Sequence, residues 1–483
     1  MNALRLLALL AGLLGAFRAC ASAVPALLVV LVIDGLPQEQ LVKYRDQYGP
    51  GGFRLLLDKG AWFGDAHQSH AITVTAPGHA AVLTGAYPYR HGIIANEWLD
   101  RQTLVPVYCT ADAAHRYIGE VTGRLAGTSP ANLRVGTLGD ELRDSNGGRS
   151  RVIAISGKDR SAILLAGKRG TAYMVMAKSG RFASSTYYMK AHPEWHARYY
   201  AELIDTPFGD DATLDFARAA IEGEQLGRNP SAAPDLLGLS LSTHDSVNHR
   251  FGPESRESLE HLLRLDRALA GFFAWLDRRI GLANLAIVLT ADHGFMNMPE
   301  HLAASGLPAA RLDAHKMISD LNAHLQARFG GGPIARLSYP TIVLDPALDE
   351  RRAEAAAAAA RFLEGYEGIA AVYTRNQFES GVPGAAGGLG TLVQRSWHRE
   401  ISGDLYLVQK PYAMFGGNNA THGSPHAYDT HVPLIFFGPG WFRSGSYARR
   451  ATVVDIAPTL ARLLNIRPPA ASEGRVLEEI LRK

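Results

Sequence analysis

The chain has 483 residues, 47% of them hydrophobic and 20% charged, a balance that supports a large buried core and excludes a disordered protein. Its formal net charge is +3, from 49 basic and 46 acidic residues. Losing Arg5 and Arg18 with a leader lowers the basic count from 49 to 47 against 46, so nothing favours a nucleic-acid partner.

The first residues, "MNALRLLALLAGLLGAFRACASA", place Arg5 before an apolar run from Leu6 to Leu14 and end in Ala21-Ser22-Ala23. This is the layout of a secretory signal, residues 1–23, cut after Ala23, which sends the mature chain to the periplasm or outside the cell. Arg18 interrupts the apolar stretch, so a membrane-spanning helix of about 20 residues is not available. Cys20 leaves with the leader, and "FRAC" lacks the aliphatic residue of a lipoprotein cleavage site. Cys109 is then the one remaining thiol, and an exported protein without an internal disulfide must draw its stability from core and metal.

From residue 24 onward, continuous apolar runs closed by polar punctuation recur at "ALLVVLVIDG", "RVIAISGKD", "DLLGLSLSTHD", "NLAIVLTADHG" and "VPLIFFGPG". Runs this rich in Val, Ile and Leu read as strands buried on both faces. Helical patterns lie between them, for instance Glu257 to Ile280 and Val453 to Leu464. The fold class is α/β, with a mostly parallel central sheet flanked by helices. Residues 24–483 read as a single catalytic domain. Residues 160–230 and 300–425, richer in Gly, Pro and Tyr, read as insertions capping the sheet. The Ala-rich stretch near 353–368 needs only helix propensity to explain it.

In four of the five runs the first polar groups past the strand are chemically capable: Asp34, Lys158, Asp245, and the pair Asp292-His293. Ligands of open α/β sheets bind at the carboxyl ends of strands, so these groups converge on one crevice. Asp245 and His249 are four apart in "THDSVNHRFGP", a spacing that aims both at one ion from a single helical turn, and equally that of an ordinary polar turn. A carboxylate after a buried strand, as at Asp292, is costly without a partner, which a metal would supply. Asp34 raises the same question, with a helix cap as the plainer reading. "NNATHGSPHAYDTHVP" adds His422, His426 and His431. With at least two of these last three read as polar-loop residues, the better candidates number three carboxylates and three imidazoles, which suits two zinc-like ions. No EF-hand-type run supports additional calcium.

"TVTAPGHAAVLTG" puts Thr75 at the start of a helix beginning near Pro77. Thr75 reads as an N-cap, or as a nucleophile if a metal or base activates its hydroxyl. The same helix end would favour a phosphate through its N–H groups. In "SGKDRSAIL", Lys158 and Arg160 stand on alternate positions and would face one side of an extended segment.

The ordered set of Asp34, Thr75 in "TAPGHA", Asn96 in "HGIIANEW", Asp245 and His249 in "DSVNH", Asp292-His293 in "ADHG" and His422 in "THG" resembles the alkaline phosphatase superfamily over most of the mature chain. The resemblance implies one zinc held by Asp34, Asp292, His293 and the Thr75 oxygen, and a second by Asp245, His249 and His422. His426 rivals His422, because "HAYD" resembles the His-x-Tyr-Asp spacing of related diesterases; Gly423 favours His422. "GKDR" is similar to the phosphate-irrepressible type of alkaline phosphatase, with a threonine nucleophile and a Lys/Arg pair. That implies an exported phosphate monoesterase acting through a phosphothreonine on small-molecule monoesters, whose phosphoryl oxygens Asn96, Lys158 and Arg160 would hold; a monomer is the separate expectation. The alternative is a phosphodiesterase or nucleotide pyrophosphatase built on the same two-metal site.

Overall fold

A computed structural model describes residues 24–122, 125–202, 209–332, 334–381 and 388–482. The expected leader, 1–23, lies outside the described residues. Nine strands form the main sheet: β1 (Leu27–Ile33), β2 (Ala61–Phe63), β3 (Val152–Ser156), β4 (Thr171–Val175), β5 (Phe182–Ala183), β6 (Asp235–Leu241), β7 (Leu285–Thr290), β8 (Leu434–Phe437) and β9 (Gly445–Tyr447). Their order is β9-β2-β8-β7-β1-β6-β3-β4-β5. The central run β7-β1-β6-β3-β4 is parallel, with Val29 opposite both Ile287 and Leu237. Every residue of β1, β6 and β7 is buried, as expected where helices cover both faces. "VPLIFFGPG" does form a strand, β8, but it runs antiparallel to β7.

Because β1, β3, β6 and β7 run the same way, the residues after each emerge at one edge. That is why Asp34, Lys158, Asp245 and Asp292 meet although they lie far apart in the chain. Helix α1 (Thr75–Thr84) and helix α2 (Asp159–Ala166) pack against each other above this edge. Helix α3 (Thr243–Phe251) follows β6 and leads into the long helix α4 (Arg256–Arg279), whose amphipathic stripe of Leu262, Leu265, Leu269, Phe272 and Leu276 is buried.

Among the described residues of 160–230, several elements belong to the main layers rather than to a cap. The stretch supplies α2, β4, β5 and the helix Gly209–Glu224 to the main layers, and Leu164, Tyr173 and Phe216 lie in the core. Its apolar runs are short and broken by Gly and Lys, which hid the strand rhythm. Between β7 and β8 the chain builds a smaller lobe. A four-stranded antiparallel sheet in the order 335–338, 341–344, 405–409, 369–374 packs with helices Ala314–Phe329 and Arg352–Glu364. The alanines of the second helix do more than favour helix formation. Ala355, Ala356, Ala358, Ala359 and Ala360 are buried, in a core shared with Met317, Leu321 and Leu363.

A β-hairpin, Glu97–Leu99 paired with Pro106–Tyr108, links the two parts. Leu99 N donates to Ser338 Oγ (3.2 Å). Arg101 pairs with the buried Asp404 (2.9 Å), which also receives Arg352 (2.7 Å) and the Leu344 N–H (2.8 Å).

Candidate active site

Thr75 opens α1 as its first helical residue, two positions earlier than the sequence suggests, and the N-cap is Val74 in an extended conformation without a side-chain cap. The threonine hydroxyl is therefore not used as a cap. Nor is the helix end a cluster of spare donors. Ala76 N donates to Asn96 Oδ1 (2.8 Å), Pro77 has no N–H, and Gly78 N donates to Val74 O (3.1 Å). Asn96 thus spends its oxygen on the backbone, which turns its NH2 group to the other side, where it can donate.

Lys158 and Arg160 do not lie on an extended segment. Lys158 is the N-cap of α2 and Arg160 sits in its first turn. Their side chains still converge on the crevice, reaching it from a helix start. Lys158 Nζ lies 2.6 Å from Asp34 Oδ2 and 2.7 Å from Asp245 Oδ2, and Arg160 donates an N–H to Thr75 Oγ1 (3.3 Å). The Asp34 and Asp245 carboxyls are pushed up by burial and by each other's charge or that of Asp292. The Lys158 ammonium leads the opposing influences, and both carboxyls lie below the ordinary carboxylate range.

Asp34 does not cap the next helix, whose N-cap is Pro37. Gly35 explains why the carboxylates approach so closely. It adopts φ +73°, where a side chain would be strained, and an added Cβ would lie 3.1 Å from the Asp245 Cα. Asp34, Asp292 and His293 form one group with ligand atoms within 4.8 Å of one another; Asp245, His293 and His422 form a second. His249 Nε2 joins the second group at 3.4 Å from Asp245 Oδ1. His293 stands between the groups, its ring stacked on His422 with centroids 3.4 Å apart.

Three imidazoles are held in the same way. Nδ1 of His249, His293 and His422 donates to the backbone carbonyls of Ala420 (2.9 Å), Gly294 (2.9 Å) and Thr73 (2.8 Å). Each bond leaves Nε2 as the lone-pair nitrogen, facing the carboxylates, which is how metal-binding histidines are oriented. Asp34 Oδ1, Asp245 Oδ1 and His293 Nε2 are buried with no hydrogen-bond partner among the described residues. Orphaned acceptors at such density are costly unless a cation completes them. The Asp/His donor set suits a zinc-like ion.

His426 is turned elsewhere, with Nε2 on the Gln409 carbonyl (2.9 Å), and His431 pairs with Glu39 (2.6 Å). Two contributors escaped the sequence reading. His79 Nδ1 lies 2.9 Å from the Thr75 carbonyl and 3.2 Å from Asp292 Oδ2, while Nε2 meets Ser240 Oγ (2.8 Å). Its position four residues after Thr75, one helical turn on, was the available signal. Thr73, assigned no role, holds His422 through its carbonyl and Ser424 through its hydroxyl (2.7 Å).

The shared sheet edge, the helix start at Thr75 and the two acid-histidine groups are the framework of a metal-dependent phosphoester hydrolase. The chain matches the type I phosphodiesterase / nucleotide pyrophosphatase family over residues 28–431, and it belongs to that family, within the alkaline phosphatase superfamily. It is 33% identical to a Myroides odoratus protein named calcium-transporting ATPase, over 95% of each chain. It is 30% identical to alkaline phosphatase PafA of Elizabethkingia meningoseptica, over 97% of each. The crystal structure of wild-type PafA superposes with a TM-score of 0.88 and 28% identity, covering 95% of this chain and 99% of that one. A PafA variant with a threonine, an asparagine, a lysine and an arginine substituted superposes equally well. Among the described residues no helix is long and apolar enough to cross a membrane.

Proposed function

We propose that this chain is an alkaline phosphatase that hydrolyses small-molecule phosphate monoesters, with Thr75 as nucleophile. The observation that carries the reading is the meeting of Thr75 Oγ1 with the Arg160 guanidinium (3.3 Å) beside Lys158 and two buried acid-histidine groups. The four residue types altered in the PafA variant occur here as Thr75, Asn96, Lys158 and Arg160 at the same intervals along the chain.

Asp34, Asp292, His293 and Thr75 would hold one zinc ion and Asp245, His249 and His422 a second, supplying Lewis acidity that lowers the threonine pKa and offsets charge on the leaving oxygen. Thr75 gives up its hydroxyl proton and its oxygen bonds to phosphorus as the ester P–O bond breaks; the departing alkoxide takes a proton. Water then attacks the phosphothreonine, releasing phosphate and restoring the hydroxyl. Lys158, Arg160 and the Asn96 amide bind the three non-bridging oxygens. A monoester offers two charges and rewards two cations, whereas a diester offers one charge and an additional organic arm.

Comparing turnover of nitrophenyl phosphate with that of its bis-ester tests the reading. We expect the monoester to be preferred by at least about tenfold, the order of one charge-assisted contact; preference for the bis-ester would assign the chain to the diesterases. Chelation with EDTA should remove the activity and zinc should restore it more fully than calcium or magnesium. Activity indifferent to prolonged chelation would contradict the two-metal assignment.

A further inference from the structure

The hairpin that starts directly after Asn96 ends on Tyr108, and Cys109 N donates to the Asn96 carbonyl (3.0 Å), closing its base. Tyr108 is 4% exposed. Its hydroxyl donates to Asp159 Oδ1 (2.6 Å) and accepts an N–H from Arg160 (3.4 Å). A phenol can do both, giving one proton and offering a lone pair. Asp159 is fixed in turn by the Arg160 N–H (2.7 Å) and the Tyr117 hydroxyl (3.4 Å). One terminal nitrogen of Arg160 therefore rests on the phenol while the other reaches Thr75 Oγ1.

We propose that Tyr108 is a positioning residue for the phosphoryl-binding arginine: its hydroxyl, oriented by Asp159, sets the plane of the Arg160 guanidinium and ties it to the hairpin that carries Asn96. Interposing a neutral phenol has a definite advantage over a direct Arg–Asp pair. The carboxylate orients the cation without occupying its N–H groups, so the guanidinium remains available to an oxyanion. Burial, and then the Asp159 charge, push the Tyr108 phenol well above its ordinary pKa, so it remains a donor at alkaline pH.

The proposal deepens the phosphatase reading and rests on it for the identity of the bound oxyanion. The test is a double-mutant cycle on the zinc-loaded full chain with Tyr108→Phe and Arg160→Ala, singly and together. It is read as the affinity for inorganic phosphate and as kcat/KM on the monoester and the bis-ester. Tyr108→Phe is expected to weaken phosphate binding and monoester kcat/KM by about tenfold, to affect the bis-ester less, and to cost less than about twofold once Arg160 is absent. Asp159→Asn, which keeps the side-chain shape, should lower phosphate affinity in the same direction, again only when Arg160 is present. Equal losses in both backgrounds, or no loss from Tyr108→Phe, would overturn the assignment. If the wild type bound phosphate and showed the coupled cycle yet hydrolysed neither ester, the phosphatase reading would fail and the role of Tyr108 would stand. Hydrolysis with an additive cycle would mean the reverse.

Discussion

Thr75 is an ordinary amino acid, and the reactivity proposed for it rests on placement. Its backbone carbonyl shares His79 with Asp292, and its hydroxyl faces Arg160. Thr75→Ala should lower turnover by about 10³-fold or more while leaving the zinc content near wild type, since most donors remain. Near wild-type turnover would remove Thr75 from the nucleophile position. Lys158→Ala with Arg160→Ala should depress monoester hydrolysis far more than diester hydrolysis, and equal losses would sink the discrimination by charge. Much of this was legible in the chain because Asp34, Asp245 and Asp292 come after buried apolar runs, so strand recognition alone puts them at one edge. What was not legible were partners without a chemical label of their own. The carbonyls of Thr73, Gly294 and Ala420 set three histidine tautomers, and any residue type carries a carbonyl.

At the scale of elements, the tight fit of α1 against the end of β7 decides how close Thr75 and the Asp292 carboxylate come. Gly78, in the middle of "TAPGHA", is the contact point. A Cβ there would lie 2.2 Å from the Asp292 carbonyl oxygen, so only glycine lets the helix settle although it lowers helix stability by roughly 0.5–1 kcal/mol relative to alanine. Gly78→Ala should therefore lose activity and zinc together, by more than about tenfold each, despite the gain in helix propensity; zinc titration and the monoester assay would show it. An unaltered enzyme would mean that α1 can shift without consequence. Proline marks a first turn without saying which of its positions it takes, so the sequence predicts a start near Pro77 for a helix that begins at Thr75. It also took "GKDR" for an extended segment. Four residues after a strand do not reveal that Asp159 already starts a helix, and the two cations meet the site from a cap and a first turn instead.

For the whole molecule, pH acts through buried imidazoles as well as through the metal groups. Burial, then Arg395, pull His70 down to about 3, and burial, then Arg450 and His431, pull His67 down to about 4. Both are neutral when folded and titrate near 6.5 when unfolded. Their contribution is present above about pH 6.5 and is lost as pH falls toward 4, because the unfolded chain then binds more protons. Between pH 8 and pH 5 each should cost about 2 kcal/mol. Asp429, raised to about 7 by burial despite its bonds to Ser424, works in the opposite direction, its contribution fading as pH rises from about 4 to 7. Denaturant melts at pH 8 and pH 5 should show lower stability in acid, and His70→Gln should reduce that difference; a pH-independent midpoint would contradict the neutral burial of these rings. The α/β class and the parallel core were readable from strand composition. The boundary of the small lobe was not, since its strands at 335–338 and 369–374 are short and half-exposed.

The attachment of the hairpin to Ser338 and Asp404 gives the small lobe an influence out of proportion to its chemistry. Among the described residues its four-stranded sheet and two helices carry none of the site residues, yet the sheet holds by the far end the same ribbon that leads from Asn96 to Tyr108. Inheritance can therefore act on the lobe as on a tuning peg. On the proposed reading, substitutions in its sheet would shift Tyr108, and through it Arg160, from a distance while the acid-histidine groups stayed fixed.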